Sequence, residues 1–100
     1  MNVLSLFDGI SAGMLALQRV GIKVDKYYAS EIEPNAIAVS KRNFPNIIQL
    51  GDVTKWREWN IELNKIDFLI STLINGLTKP SVDLIKSMFH SNIVKYLVHT

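Results

Sequence analysis

Four short apolar runs, separated by segments with helical spacing, constrain this chain more than any other feature. "NVLSLF" (2–7) reads as a strand broken at Asp8-Gly9, and "IKVDKYYAS" (22–30) as a second that runs into Glu31. "NIIQLGDV" (46–53) closes on Gly51-Asp52, and "KIDFLIS" (65–71) is a fourth. The nearly continuous apolar character of the first run suits a central strand covered on both faces. Strands that alternate with helices are joined by right-handed crossovers, which predicts an α/β fold with a parallel sheet and flanking helices.

The intervening segments carry helix punctuation. Ser11 stands where an N-cap belongs, Met14, Leu15, Leu17 and Val20 follow at helical spacing, and Gly21 is a natural residue just past the helix end. Pro34 sits at a first helical position, with Ala36, Ile37, Val39 and Phe44 forming one apolar face of a helix that runs to about Arg42. "TKWREWNIELNK" (54–65) predicts a helical turn or two with Thr54 as cap. Past Ser71, Asn75-Gly76 signals a turn, and Val82, Ile85, Phe89, Ile93 and Leu97 predict a C-terminal helix from about Ser81 to Leu97. Four parallel strands are little more than half of a doubly wound sheet, so an exposed strand edge is expected.

Composition narrows the function classes. With 48% hydrophobic and 20% charged residues, the 100-residue chain is expected to be one globular domain, 1–100, with no linker or repeat. A net charge of +2 is far too small a basic excess to announce a nucleic-acid module. The absence of Cys excludes disulfides, thiolate metal sites and a thiol nucleophile. His90 and His99 are isolated and read as surface residues, so no metal site is expected; Trp56 and Trp59 read as a packing face. "MNVLSLFDG" has no basic leader region and no apolar run approaches 18 residues, which predicts neither signal peptide nor membrane span, and a cytoplasmic location.

In an open α/β sheet, ligands sit beyond the carboxyl ends of the strands, near the point where strand order reverses. The first three runs each end in an acid: Asp8, Glu31 and Asp52. Gly9 and Gly13 let the backbone of the first turn approach a ligand, and the amides that begin the next helix suit a carboxylate or phosphate. "DGISAG" does not complete the G-x-G-x-x-G fingerprint, which argues against a pyrophosphate and a nicotinamide-dependent dehydrogenase. Glu31, roughly twenty residues on, is placed to accept ribose hydroxyls. Asp52 offers an acceptor to an exocyclic amine, and Val53 a wall to a purine. S-adenosylmethionine satisfies that set. Read one at a time, each of these residues is also an ordinary turn or surface feature, and Phe7 an ordinary core residue.

"VLSLFDGISAGMLAL", "YYASEIEPNAIAV", "GDV" and "IDFLI" resemble, in order and spacing, the first motifs of the DNA cytosine-5 methyltransferases, over residues 3 to 70. The resemblance implies a partial Rossmann-like, S-adenosylmethionine-dependent methyltransferase fold. It implies that Phe7, Asp8, Gly9, Ile10, Ser11 and Gly13 cradle the methionine part of the cofactor. By the same carry-over Glu31 holds the ribose, Ile32 lies beside the adenine, and Asp52 and Val53 form the adenine-contacting pair.

The resemblance stops after the fourth run. The family continues into Gly-Gly-Ser-Pro-Cys-Gln, whose Cys thiolate attacks C6 of a flipped cytosine. Here Ser71-Thr72-Leu73-Ile74-Asn75-Gly76 follows instead, with Ile74 and Asn75 roughly where Pro and Cys belong. The later family blocks and the target-recognition domain have no counterpart in the divergent tail, 71–100. The expectation is therefore a truncated relative, of the kind a prophage or restriction-modification system leaves behind. It would bind the cofactor and, having no catalytic residue, would not methylate double-stranded DNA alone. The alternatives are a non-enzymatic interaction module, or one half of a split methyltransferase. A homodimer through the exposed sheet edge or the C-terminal helix is a further expectation.

Overall fold

The computed structural model describes residues 1–71, 87–88 and 97–99 of the chain. Strand β1 (Asn2–Leu6) is covered on both faces, as its apolar run requires, with Val3, Leu4 and Leu6 fully buried. Helix α1 (Ala12–Arg19) leads to β2 (Lys26–Ser30), and α2 (Pro34–Asn43) leads to the two-residue β3 (Ile48–Gln49). Two 3-10 turns, Val53–Glu58 and Leu63–Lys65, precede β4 (Phe68–Ser71), and β5 (Leu97–His99) completes the sheet. The strand order is β3-β2-β1-β4-β5, and every described pairing is parallel. Leu6 lies between Ser30 and Ser71 in register, so the order reverses beside the carboxyl end of β1.

The sheet separates two apolar layers. Val3, Tyr27, Ala29 and Ile70 pack with Leu17 of α1 and Ile47 on one face. Leu4, Leu6 and Leu69 pack on the other with Val53, Ile66 and Met88, and with the half-buried Trp56 and Trp59. The two tryptophans thus form the packing face that their spacing suggested.

Local chemistry explains where the elements begin and end. Gly21, at φ 78°, ends α1: its amide bonds Gln18 O (3.1 Å) and the Ile22 amide bonds Leu17 O (3.0 Å), the paired closure of a Schellman motif. That closure consumes the Ile22 amide, and the Asp25 amide bonds Met1 O (2.8 Å), so β2 starts at Lys26 rather than at residue 22. Pro34 opens α2 as expected, with the Glu33 carboxylate accepting from the Ala36 amide at 2.7 Å.

Three expectations are corrected. Ser11 occupies the N-cap position of α1, but it is left-handed (φ 67°) and its side chain makes no capping bond; its hydroxyl turns to Asp8 instead. Thr54 does not cap the following turn. Asp52 does, because its extended backbone brings Oδ1 to the Thr54 amide (2.9 Å) and hydroxyl (2.8 Å). The C-terminal helix expected over 81–97 lies mostly outside the described residues, as does the Asn75-Gly76 turn; Ser87 and Met88 are helical, but Leu97 begins a strand. Leu97, Val98 and His99 pair with Leu69, Ile70 and Ser71, so β4 is an interior strand and the described sheet has its edges at β3 and β5. Hydrogen bonding to an open parallel edge outweighs the helical spacing at Leu97.

Candidate cofactor site

The carboxyl ends of β1 and β2 meet in a turn with unusual backbone. Phe7, Gly9 and Ser11 all have left-handed φ, at 55°, 63° and 67°. Two of them carry side chains, each at a cost of about 1–2 kcal/mol, so the surrounding contacts must hold this shape. Glu31 supplies part of the restraint: its Oε1 accepts from the Gly9 amide at 2.7 Å, and its Oε2 from the amides of Ile32 (3.1 Å) and Glu33 (3.0 Å). The Asp8 amide adds a bond to Ser30 O at 3.0 Å.

The Asp8 carboxylate is buried and departs from its expected place among the ligand-facing acids. It accepts from the Tyr27 hydroxyl through Oδ1 at 2.7 Å and from the Ser11 hydroxyl through Oδ2. A buried charge needs such donors, and Asp8 finds them within the protein. Burial, reinforced by the Asp8 charge, pushes the Tyr27 phenol well above its ordinary range, so Tyr27 remains a donor.

Beside this turn lies a cleft of about 180 Å³ lined by Phe7, Ser30, Glu31, Ile32, Asp52, Val53 and Thr54. Phe7 also packs on the core cluster of Leu4 and Leu6, so it serves both the cleft and the core. Of its apolar lining, Ile32 is 70% exposed, whereas Val53 is buried. Asp52 spends Oδ1 on Thr54, first through the hydroxyl and then through the amide, and this holds its carboxyl below the usual range. Ser30 fixes the far side by donating to Gly51 O at 2.7 Å, next to the left-handed Gly51 that turns the chain out of the sheet.

The two glycines of the first turn behave differently. Among the described residues nothing lies within 4 Å of where a Cβ on Gly9 would stand, which leaves that backbone open to a ligand. A Cβ on Gly13 would meet Ile70 Cδ1 at 2.9 Å and Tyr27 Oη at 3.0 Å, so the close approach there is to the sheet. Ile10 is 54% exposed at the crest of the turn. The Ala12 and Gly13 amides, in the first turn of α1, have no partner within the helix.

The structure thus gathers Phe7, Glu31, Ile32, Asp52 and Val53 around one cleft, sets Gly9 and Ile10 beside it, and turns Asp8, Ser11 and Gly13 inward. Sequence reasoning passed over Tyr27, Ser30, Ser40 and Thr54 as supports. The one available signal was Ser40, a polar residue that adjoins the apolar face of Ala36, Ile37 and Val39. Among the described residues no group of His, Asp and Glu could hold a metal ion, and no helix is long and apolar enough to cross a membrane.

The same fold occurs in solved methyltransferases. The Schizosaccharomyces pombe (S. pombe) Dnmt2 methyltransferase matches 99% of this chain with a TM-score of 0.72 at 17% identity, over 33% of its own length. The plantazolicin methyltransferase BamL, in complex with a desmethylPZN analog and SAH, matches 89% at 0.68 and 18% identity, over 33% of its length. Phosphoethanolamine N-methyltransferase 2 of Haemonchus contortus, in complex with S-adenosyl-L-methionine, matches 95% at 0.63 and 18% identity, over 22% of its length. This chain therefore spans a third or less of each, and the likeness establishes a Rossmann-like methyltransferase fold. S-adenosylmethionine is the cofactor to which the fold and the family both point. The family model described as C-5 cytosine-specific DNA methylase matches residues 1–73, the stretch that builds β1 to β4 and the whole cleft. By that match the chain belongs to the C-5 cytosine-specific DNA methylases.

Proposed function

We propose that this chain holds S-adenosylmethionine across the carboxyl ends of β1, β2 and β3, and does not by itself transfer the methyl group to DNA. The observation that carries this reading is the cleft, where an apolar wall and two carboxylates meet beside an open glycine turn. At about 180 Å³ it is smaller than the roughly 300 Å³ at which drug-sized pockets begin. It suits the adenosine end of the cofactor, with the amino-acid arm lying outside, over the turn.

The residues divide the recognition by chemistry. Ile32 and Val53 offer apolar contact to the adenine, and Asp52, held ionised by Thr54, offers Oδ2 to an exocyclic amine. Glu31 already accepts three amide bonds, which leaves about one of its four acceptor positions for a ribose hydroxyl. Phe7, Gly9 and Ile10 shape the cradle of the methionine arm, with Asp8, Ser11 and Gly13 bracing it from within. The first-turn amides of α1 face that arm with the positive end of the helix. The cofactor supplies a methyl group on a sulfonium, and the family's route to using it needs a Cys thiolate on cytosine C6. No Cys occurs in these 100 residues, so catalysis on double-stranded DNA would require a nucleophile from elsewhere.

Calorimetric titration of S-adenosylmethionine and S-adenosylhomocysteine into the purified chain tests the reading. Saturable binding is expected, weakened about tenfold or more by Glu31→Ala and by Asp52→Ala, since each removes a charged acceptor. A folded chain that gives no heat and no thermal shift with either ligand would overturn it.

A further inference from the structure

The buried side of the turn contains a chain of donors that neither the cleft nor the core requires. Gln49 Nε2 on β3 lies 3.2 Å from Ser40 Oγ on α2, Ser40 Oγ lies 2.5 Å from Ser11 Oγ, and Ser11 reaches Asp8. Tyr27 on β2 reaches the other oxygen of the same carboxylate. The direction of each bond follows from donor chemistry. An ionised carboxylate only accepts, so Ser11 spends its one proton on Asp8 and must accept from Ser40, which in turn accepts from the Gln49 amide. The sequence Gln49 to Ser40 to Ser11 to Asp8 is thus polarised toward one charge, and such chains strengthen along their length. Gln49 Oε1 at the far end is buried with no hydrogen-bond partner among the described residues.

These contacts converge on a turn that has two side-chain-bearing residues in left-handed conformation. We propose that Ser40 and Tyr27, neither of which lines the cleft, are positioning residues: acting through Ser11 and Asp8, they hold the 7–11 turn in its ligand-ready shape. The consequence for affinity rests on the cofactor reading above. The consequence for the turn does not.

The test reads both. In the full chain, amide hydrogen exchange is followed at Gly9, which bonds Glu31, and at Leu4 in the central strand, alongside S-adenosylmethionine titration well below the melting temperature. Ser40→Ala and Tyr27→Phe are each expected to speed Gly9 exchange about fivefold, the loss of one ordinary hydrogen bond, and to weaken cofactor binding by a similar factor. In a Ser11→Ala background, Ser40→Ala should add nothing, because its only route to Asp8 is gone, whereas Tyr27→Phe should still add its share. A purely structural role would speed Leu4 exchange through global destabilisation and leave Gly9 opening unchanged, which would overturn the proposal. So would a full additional effect of Ser40→Ala in the Ser11→Ala background, or unaltered cofactor affinity despite faster Gly9 exchange. If the parent chain binds no cofactor but Gly9 responds as described, the positioning role stands and the cofactor reading fails.

Discussion

Asp52 and Asp8 both follow the carboxyl end of a strand, yet their surroundings give them opposite tasks. Asp8 is buried and spends both oxygens on hydroxyls, whereas Asp52 lines the cleft and spends only Oδ1, on Thr54. The Thr54 bonds favour the charged form of Asp52, so its carboxyl lies below the ordinary 3.8. The sign follows: a carboxyl depressed on folding stabilises the fold above its unfolded pKa, and that contribution disappears as pH falls through the depressed value. Asp52 is solvent-accessible, so the useful observable is its titration midpoint. Followed by carboxyl chemical shift, the midpoint is expected below 3.8 in the parent and to rise toward that value in Thr54→Ala. A midpoint unmoved by Thr54→Ala would show that the Thr54 hydroxyl does not set it.

Helix α1 meets the sheet through Leu17 and, at its start, through its one glycine. Ala in place of Gly13 gains about 1 kcal/mol of helix propensity, but its methyl enters space held by Ile70 Cδ1 and Tyr27 Oη. The Ile70 terminus can rotate; the Tyr27 hydroxyl is pinned to Asp8. Overpacking of this kind costs about 1–3 kcal/mol, so the net expectation for Gly13→Ala is a loss of about 1 kcal/mol in urea denaturation. A gain in stability would mean that α1 shifts freely on the sheet. The crossover from β3 to β4 uses two 3-10 turns in place of a full helix, and burial of Val53 and Ile66 on the core ties it down. Its apolar residues were visible in the sequence, but the break at Lys55, where φ is −101° and ψ 21°, was not.

Across the sheet, the central β1 buries four of its five residues and β5 protects β4. Each backbone bond between β4 and β5 would otherwise be an unpaired donor or acceptor on a central apolar strand. Removal of residues 97–100 is therefore expected to leave β4 as an open edge and to cause self-association that grows with protein concentration in light scattering. A shortened chain that stays monomeric would show that the edge is protected in another way.

Contiguous residues encode the alternation of strands and helices, the acids that close the first three strands, the proline start of α2 and the glycine end of α1. Each of these is a property of a few neighbours along the chain, and so is the motif order that identified the family. Other features depend on partners far away in sequence. Which acid faces the cleft depends on where Tyr27 and Ser11 place their hydroxyls, 19 and 3 residues from Asp8. The packing role of Gly13 depends on Ile70, the hydrogen-bond network joins β2, β3 and α2 to the 7–11 turn, and β5 exists because β4 offers it an edge. Periodicity and turn chemistry are local energies and can be read along a line. Burial of a charge and pairing of an edge are settled only when the folded chain brings the two sides together.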